Sequence, residues 1–335
     1  MNSAADRWAS PGAHSEPTIA VSLEDLRVAA EGLRGVAVET PLLSVPELDR
    51  RAGVPVLLKC EQLQPIGAFK VRGAYTAISR IPPERRVRGV ITYSSGNHGQ
   101  AGAFAAQRLG ARAVVVMPER APAIKVEGVR RLGGEVVIAG NSSAERYTMA
   151  RQMADDEGLI MVPPFESLDV IAGQGTCGVE IIEQNPQVET IIVPVGGGGL
   201  IAGIVAAVAE LKPSVEVIGV EPAGAPKLAR ALEAGRPIKL DHTESLADGL
   251  LPLAIGDIPF SILSGRVRRS VLVEDGEIVS ALQFLHREAG LSVEPSGAVT
   301  TAALLSQHIR PAGSTVVVVS GGNVDPALFQ ALVQQ

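Results

Sequence analysis

The chain of 335 residues is 46% hydrophobic but only 3% aromatic, so its core must consist mainly of Val, Ile, Leu and Ala. This composition suits parallel sheets that are covered by helices on both faces. The formal net charge of −6 excludes a basic nucleic-acid-binding surface, and no apolar run is long enough to suggest a membrane span. Residues 1–20 lack the pattern of a secretory signal and are predicted to form a loose arm. Cys60 and Cys177 are too few for a disulfide framework or a zinc site, which favours free thiols in the cytoplasm.

Short runs rich in Val and Ile alternate with longer amphipathic segments along the rest of the chain. In chain order, strands are predicted at 89–93, 111–118, 135–139, 190–195, 215–221 and 314–320. Helices are predicted at 100–110, 123–133, 143–158, 200–212 and 325–333. This alternation predicts βαβ units in doubly wound parallel sheets, where ligands bind at the carboxyl ends of strands. No long linker divides the chain, and we predict a small domain of residues 85–160 inserted into a large domain of residues 21–84 and 161–335.

Lys70 lies in the run GAFKVRGA, between a predicted strand and a predicted helix. Gly67 allows a sharp turn just before it, and Phe69 and Val71 flank it with apolar side chains. A lysine that is partly withdrawn from water has a lowered pKa and becomes a usable amine nucleophile. Such an amine is what a carbonyl-bearing cofactor needs in order to form a Schiff base.

Three loops rich in glycine and serine each follow a predicted strand: SSGNHG (94–99), GGGG (196–199) and SGGN (320–323). Four glycines at a helix N-terminus let the backbone approach a phosphate closely. The first loop offers hydroxyl, amide and backbone N–H groups to a substrate carboxylate, and Ser320 in the third can bond a ring nitrogen. Taken singly, each loop is also explained by a tight turn or a helix cap.

The glycine loop leaves an alternative of another class open. Gly197, Gly199 and Ala202 satisfy the G-x-G-x-x-A dinucleotide fingerprint, and Glu221 ends the next strand about 20 residues on, where an acid would bind the ribose. An NAD-dependent dehydrogenase is therefore one alternative, and a cofactor-binding protein without catalysis is another. A cofactor with a single phosphate and a carbonyl would account for Lys70 and all three loops.

In their order along the chain, GAFKVRGA, SSGNHG, GGGG and SGGN resemble the pyridoxal-phosphate enzymes of the tryptophan-synthase-β fold type. KCEQLQP (59–65), LADGL (246–250) and SVEPSGA (292–298) are similar to its threonine/serine dehydratase and serine racemase branch. The resemblance covers roughly residues 35 to 330. It implies an α/β protein of fold type II, with two doubly wound open sheets in a large and a small domain, and it implies a homodimer.

The resemblance also implies roles for individual residues. Lys70 would form the Schiff base with pyridoxal 5'-phosphate and later take the substrate α-proton. Phe69 would pack against the pyridine ring, Asn97 would bond the phenolic oxygen and Ser320 the pyridine nitrogen. The backbone N–H groups that would bind the phosphate are those of Gly196, Gly197, Gly198, Gly199 and Leu200. The side chains that would bind the substrate carboxylate are those of Ser94, Ser95 and His98.

The implied function is that of an ammonia-lyase that converts L-threonine or L-serine to a 2-oxo acid and ammonia. Alternatives within the family are another hydroxy amino acid (3-hydroxyaspartate, phenylserine or a hydroxyectoine-derived compound) or serine or aspartate racemase activity, with Ser95 returning a proton as a second catalytic residue. The chain ends soon after SGGN without a regulatory domain, which favours a catabolic role.

Two departures from the family pattern and one further candidate residue refine these expectations. Ala68 replaces the frequent serine before the Phe-Lys pair, which implies no change in chemistry. Some members bind a divalent cation near the position of Glu221, but Lys227 stands where a second acid is expected, so no metal is predicted. Arg146 is a candidate for binding a second substrate carboxylate, although a solvated helix arginine is the simpler interpretation.

Overall fold

The computed structural model describes residues 21–94, 96–140 and 142–334, so the predicted arm at 1–20 lies outside it. Within these residues the chain forms two sheets with helices around them. The strands are β1 Leu42–Ser44, β2 Val56–Cys60, β3 Val90–Tyr93, β4 Ala113–Met117, β5 Glu135–Ile138, β6 Ile160–Met161, β7 Thr190–Pro194, β8 Glu216–Pro222, β9 Ser270–Val273 and β10 Thr315–Val319. All six predicted strands are confirmed. Strand β2 is the strand predicted before Lys70 without bounds. The unpredicted β1, β6 and β9 are short, so they carry too little periodicity to be recognised from sequence.

The α-helices in the described part of the chain cover both faces of the sheets. They are α1 Leu23–Gly32, α2 Pro46–Ala52, α3 Lys70–Ser79, α4 Pro83–Arg86, α5 Asn97–Arg108, α6 Ala123–Arg131, α7 Ser143–Glu157, α8 Leu168–Gln184, α9 Gly199–Leu211, α10 Lys227–Ala234, α11 Asp257–Leu263, α12 Asp275–Ala289, α13 Pro295–Leu305 and α14 Pro326–Val333. None of them has the length and apolar character that a bilayer span requires.

The six-stranded sheet has the order β1-β2-β10-β7-β8-β9 and is parallel except for β1, which pairs antiparallel with β2. Alternate residues of β10 enter two separate cores, because successive side chains of a strand point to opposite faces. Val316 and Val318 pack with α1, α8, α9 and α10, whereas Val317 and Val319 pack with α2, α12, α13 and α14. Helices on both faces confirm the doubly wound architecture.

The four-stranded sheet has the order β5-β4-β3-β6 and is wholly parallel. Helix α7 packs on one face, against Ile91, Val114 and Val116, while α5 and α6 pack on the other, against Val115 and Met117. Its strands fall between residues 90 and 161. We propose that this sheet and its helices are the small domain predicted at 85–160.

The start of α5 differs more from its prediction than any other bound of the predicted helices. Helix α5 starts at Asn97 instead of residue 100, so the second half of SSGNHG forms its first turn. Gly99 in that turn lies so close to β4 that an added Cβ would be 2.6 Å from Val115 Cγ1. The glycine therefore permits close packing of helix on strand here, and it does not mark a loop.

Candidate active site

Lys70 follows a turn that is held against the end of β10. Gly67 has φ of +71°, a left-handed conformation that favours glycine. The backbone N–H of Phe69 donates to the carbonyl of Ser320 at 3.1 Å, and Gly322 N–H donates to Gly67 O at 2.9 Å. These bonds bring the start of the run GAFKVRGA into direct contact with the SGGN loop.

Lys70 is the first residue of α3, and its side chain is half-buried. Its Nζ donates to the carbonyl of Pro164 at 2.9 Å and lies 5.2 Å from the centre of the Phe69 ring. Burial lowers the pKa of Lys70 from 10.5 to about 8. A substantial fraction of this amine is therefore neutral near physiological pH, as a nucleophile or base requires.

Asn97 is joined to the same loops through its side-chain amide. Its Oδ1 accepts from Asn323 Nδ2 at 2.9 Å, and its Nδ2 donates to Glu294 Oε1 at 2.5 Å. Asn323 Nδ2 also donates to the carbonyl of Ile66 at 2.8 Å. These contacts fix the orientation of the Asn97 amide and leave the second N–H of its Nδ2 to donate to a ligand.

Glu294 is a buried carboxyl group at the N-cap of α13. Burial raises its pKa to about 7, with Asp248 acting in the same direction, while Lys125 and the bond from Asn97 oppose the rise. Its Oε2 has no hydrogen-bond partner among the described residues. A carboxyl group in this setting is one that exchanges protons near neutral pH.

The glycine loop comes from the carboxyl end of β7 and opens α9. Gly198 has φ of +95°, and a Cβ added at Gly197 would overlap the ring of Phe165. Phe165 directly follows Pro164, the acceptor of the Lys70 amine, so one segment contacts both the lysine and this loop. The first turn of α9 presents backbone N–H groups without helical acceptors, as an anion site requires.

Ser320 directly follows β10 and is buried. The contact that its Oγ makes to a protein carbonyl, Ser296 O, is 3.5 Å long and therefore weak. The hydroxyl is thus available to a ring nitrogen.

The predicted carboxylate receptor is only partly described. Ser94 Oγ accepts from Gly96 N–H at 3.1 Å, whereas Ser95 lies outside the described residues. Burial and the nearby Lys70 lower the pKa of His98 to about 3, so its ring is neutral. His98 Nε2 lies 3.2 Å from the carbonyl of Val162 and donates to it. Carboxylate binding by Ser94, Ser95 and His98 stays a prediction.

Arg146 lies in α7 and is buried, unlike the solvated helix arginine of the simpler interpretation. Its Nη2 donates to Ser143 Oγ at 3.1 Å. Burial lowers the pKa of Arg146, and the nearby Glu145 and Tyr93 oppose this. Since Tyr93 ends β3, the guanidinium lies near the carboxyl end of that strand. Binding of a second carboxylate stays a prediction.

Sequence reasoning assigned no role to Glu294, Asn323, Lys125 or Asp248, all of which the fold brings to this site. Three of them lie in runs that carried the family resemblance or a loop pattern: LADGL, SVEPSGA and SGGN. Those runs were therefore a usable signal, although nothing in them indicated which partner each side chain would contact.

Glu221 is occupied with structural contacts. Its carboxylate accepts from the backbone N–H groups of Leu228 and Ala229 at 2.8 and 3.0 Å, and from Ser270 Oγ at 2.9 Å. It is fully buried, so it is not placed to receive a ribose hydroxyl as the dehydrogenase alternative requires.

Known proteins resemble this chain in both sequence and fold. The family model "Pyridoxal-phosphate dependent enzyme" matches residues 33–321. The L-threonine ammonia-lyase of Thermotoga maritima is 39% identical over 315 residues, which cover 94% of this chain and 79% of that protein. The structure of maize serine racemase matches with a TM-score of 0.89 and 36% identity, covering 94% of this chain and 98% of that one. The processed form of threonine deaminase isoform 2 from Solanum lycopersicum matches with a TM-score of 0.87 and 34% identity, covering 97% and 90%. The chain belongs to the family of pyridoxal-phosphate dependent enzymes.

Proposed function

We propose that the protein is an ammonia-lyase that converts L-threonine and L-serine to 2-oxo acids and ammonia. The observation that carries the proposal is the half-buried Lys70 amine and its lowered pKa. This amine lies where the loops after β7 and β10 meet the first turn of α5. The named relatives, an L-threonine ammonia-lyase and a threonine deaminase, support the choice of substrate.

The residues present fit pyridoxal 5'-phosphate. The lysine amine is available to its aldehyde. Phe165 and Pro259 pack so closely on Gly197, Gly198 and Gly199 that side chains there would collide with them, and the backbone N–H groups at the start of α9 remain for a phosphate. We propose that Phe69 packs against the ring, Asn97 donates to its phenolic oxygen and Ser320 meets its nitrogen, while the backbone of Gly196–Leu200 binds the phosphate. When bound, the cofactor supplies an electron-withdrawing ring that stabilises negative charge on the substrate α-carbon.

This chain's own groups then perform the proton transfers. Lys70, freed as a neutral amine, takes the α-proton, because its pKa of about 8 suits a base near neutral pH. The loop at 94–98 holds the carboxylate so that the α-proton faces Lys70. The β-hydroxyl leaves as one water molecule, and hydrolysis of the released product consumes one. Each amino acid therefore gives one 2-oxo acid and one ammonia.

The direct test is a 2-oxo-acid release assay on the holoenzyme with L-threonine, L-serine, 3-hydroxyaspartate, phenylserine and a hydroxyectoine-derived amino acid. We expect 2-oxobutyrate from threonine and pyruvate from serine. Release from 3-hydroxyaspartate alone would instead favour a dicarboxylate substrate bound by the buried Arg146. Absence of release from every compound would contradict the ammonia-lyase function.

A second candidate activity is racemisation of serine. It is favoured by the likeness to maize serine racemase, at 36% identity over 94% of this chain. The same serine reactions, separated on a chiral column, would show whether D-serine accumulates beside pyruvate. We also propose a cytoplasmic homodimer, with which the free buried thiols of Cys60 and Cys177 are compatible.

We expect activity that does not depend on a divalent cation at Glu221. The ammonium of Lys227 donates to Glu221 Oε1 at 3.2 Å and to the carbonyl of Ala225 at 2.9 Å, so a positive charge already lies among these oxygens. No group of three or more His, Cys, Asp or Glu side chains suited to a metal ion occurs in the described ranges. Dialysis against a chelator should leave the kcat and KM for threonine unchanged; a loss that Mg²⁺ or Ca²⁺ restores would contradict the prediction.

A further inference from the structure

A charged bridge spans the space between the parts of the chain that are built on the two sheets. Lys125 belongs to α6, which packs on the four-stranded sheet. Asp248 and Glu294 lie beside Leu250 and Val293, which pack with the core of the six-stranded sheet. The Lys125 ammonium donates to Asp248 Oδ2 and lies 3.9 Å from Glu294 Oε2.

The bridge is largely shielded from water. The side chains of Lys125 and Glu294 are 7% and 2% exposed, while that of Asp248 is 38% exposed. Burial alone would lower the pKa of Lys125, but Glu294 and Asp248 raise it, so the ammonium stays charged. Removing a charged partner from such a site leaves an uncompensated buried charge, unlike the loss of a solvated surface pair.

The stem of Lys125 lies directly against the loop that is proposed to receive the substrate carboxylate. A Cβ added at Gly96 would be 2.6 Å from Lys125 Cδ and 3.2 Å from its Nζ. Gly96 N–H in turn donates to Ser94 Oγ at 3.1 Å. The lysine and the loop are therefore packed so closely that a movement of one displaces the other.

The other end of the bridge reaches Asn97. Glu294 Oε1 accepts from Asn97 Nδ2 at 2.5 Å, and Glu294 N–H donates to the carbonyl of Gly321 at 3.1 Å. The bridge thus connects α6 to both the amide proposed to bond the cofactor and the loop that follows β10.

We infer that Lys125 is a positioning residue of the active site: its ionic bridge to Asp248 and Glu294 holds α6 and the start of α5, at Gly96 and Asn97, against the loops of the six-stranded sheet. The inference rests on the proposed ammonia-lyase function for its kinetic consequence. Without the bridge, the carboxylate receptor is less well ordered before substrate binds, so substrate affinity falls more than the rate of the chemical steps.

The test compares the holoenzyme with Lys125→Met, Asp248→Asn and the double variant. Lys125→Met should raise KM for threonine about tenfold while kcat falls less than about threefold. Hydrogen–deuterium exchange without substrate should quicken in α6 and residues 96–100 but not in β7 or β10. Asp248→Asn should act in the same direction, and the double variant should be no worse than Lys125→Met, because both changes break one bridge.

Arg112→Met is the matched control. Arg112 also binds two carboxylates, those of Glu135 and Glu157. All three residues lie within 112–157, so their ion pairs do not connect the two sheets. This variant should leave KM and the exchange of residues 96–100 unchanged. Unchanged KM and exchange in Lys125→Met would overturn the inference, and if that variant fails to fold, Asp248→Asn decides in the same way. If the parent enzyme releases no 2-oxo acid from any of the hydroxy amino acids, the proposed function fails, but the exchange data still test the bridge.

Discussion

Replacing Lys70 by Ala should lower kcat/KM for threonine at least about 10³-fold and abolish the visible absorbance of the lysine-bound cofactor. The reason is that one amine is proposed for two tasks, the covalent attachment of the cofactor and the removal of the α-proton. The structure places no second lysine amine against Pro164, where Lys70 Nζ lies, among the described residues. The measurements are steady-state 2-oxo-acid release and the absorbance spectrum after removal of free cofactor.

Two further variants separate loss of chemistry from loss of fold. Lys70→Arg keeps the positive charge and most of the bulk but has no neutral amine, so it should be as inactive as Lys70→Ala. Lys212→Ala removes a half-buried lysine that follows the other end of α9, where it donates to the carbonyl of Val188 at 2.8 Å, and should keep full activity. Circular dichroism should show all three variants folded. Retention of colour and of a tenth of the activity by Lys70→Ala would contradict the assignment.

The pH dependence of cofactor capture by the apoprotein provides an independent measurement on the same amine. Since burial lowers the pKa of Lys70 to about 8, the amine is protonated below that pH and neutral above it. The rate constant for binding pyridoxal phosphate should therefore rise about tenfold for each pH unit below about 8 and level off above it. Stopped-flow absorbance between pH 6.5 and 9.5 measures this, and a rise that continues toward pH 10 would show an unperturbed lysine.

Replacing Arg72 by Met should lower the free energy of unfolding by about 3–5 kcal/mol. Arg72 lies two residues after Lys70 and is fully buried. It donates to both carboxylate oxygens of Glu61 at 2.8 Å and to those of Glu180 at 2.6 and 2.8 Å. Burial alone would lower the pKa of Arg72, but the two carboxylates raise it well above its ordinary value.

Without the guanidinium, the buried Glu61 keeps the neutral donors Thr40 and Gln64. The cation that remains beside the partly buried Glu180, among the described residues, is Lys59, whose ammonium bonds it at 2.6 Å. Urea denaturation of the apoprotein measures the loss, since bound cofactor would add its own stabilisation. Arg112→Met is again the control, because Arg112 and its carboxylates are exposed and the expected loss is at most about 1 kcal/mol. Similar losses in the two variants would contradict the argument from burial.

The sequence was a good guide to local structure and to reactive groups. The six strands predicted from Val- and Ile-rich runs are all present, since a buried parallel strand needs apolar side chains on both faces. It misplaced the start of α5, because Asn97 and Gly99 are typical loop residues, and the close packing of Gly99 on β4 is visible only in the structure. The sequence also assigned Arg72 no role beyond its place in GAFKVRGA, although this buried guanidinium binds the carboxylates of both Glu61 and Glu180.

By itself, the sequence determined the chemistry of this protein: a lysine set among apolar neighbours, a glycine-rich anion loop, and glycine- and serine-rich loops at strand ends. Only the tertiary structure decided which groups act together. Glu294 contacts Asn97 across 197 residues of chain, and Asn323 contacts it across 226. Periodicity reports the fold of neighbouring residues, whereas such contacts depend on how α5, which packs on the four-stranded sheet, meets the segments that follow the six-stranded sheet. The pKa of Lys70 was likewise decided by the tertiary structure. Its cause is desolvation, which depends on the assembled site and not on the neighbouring residues in the sequence alone.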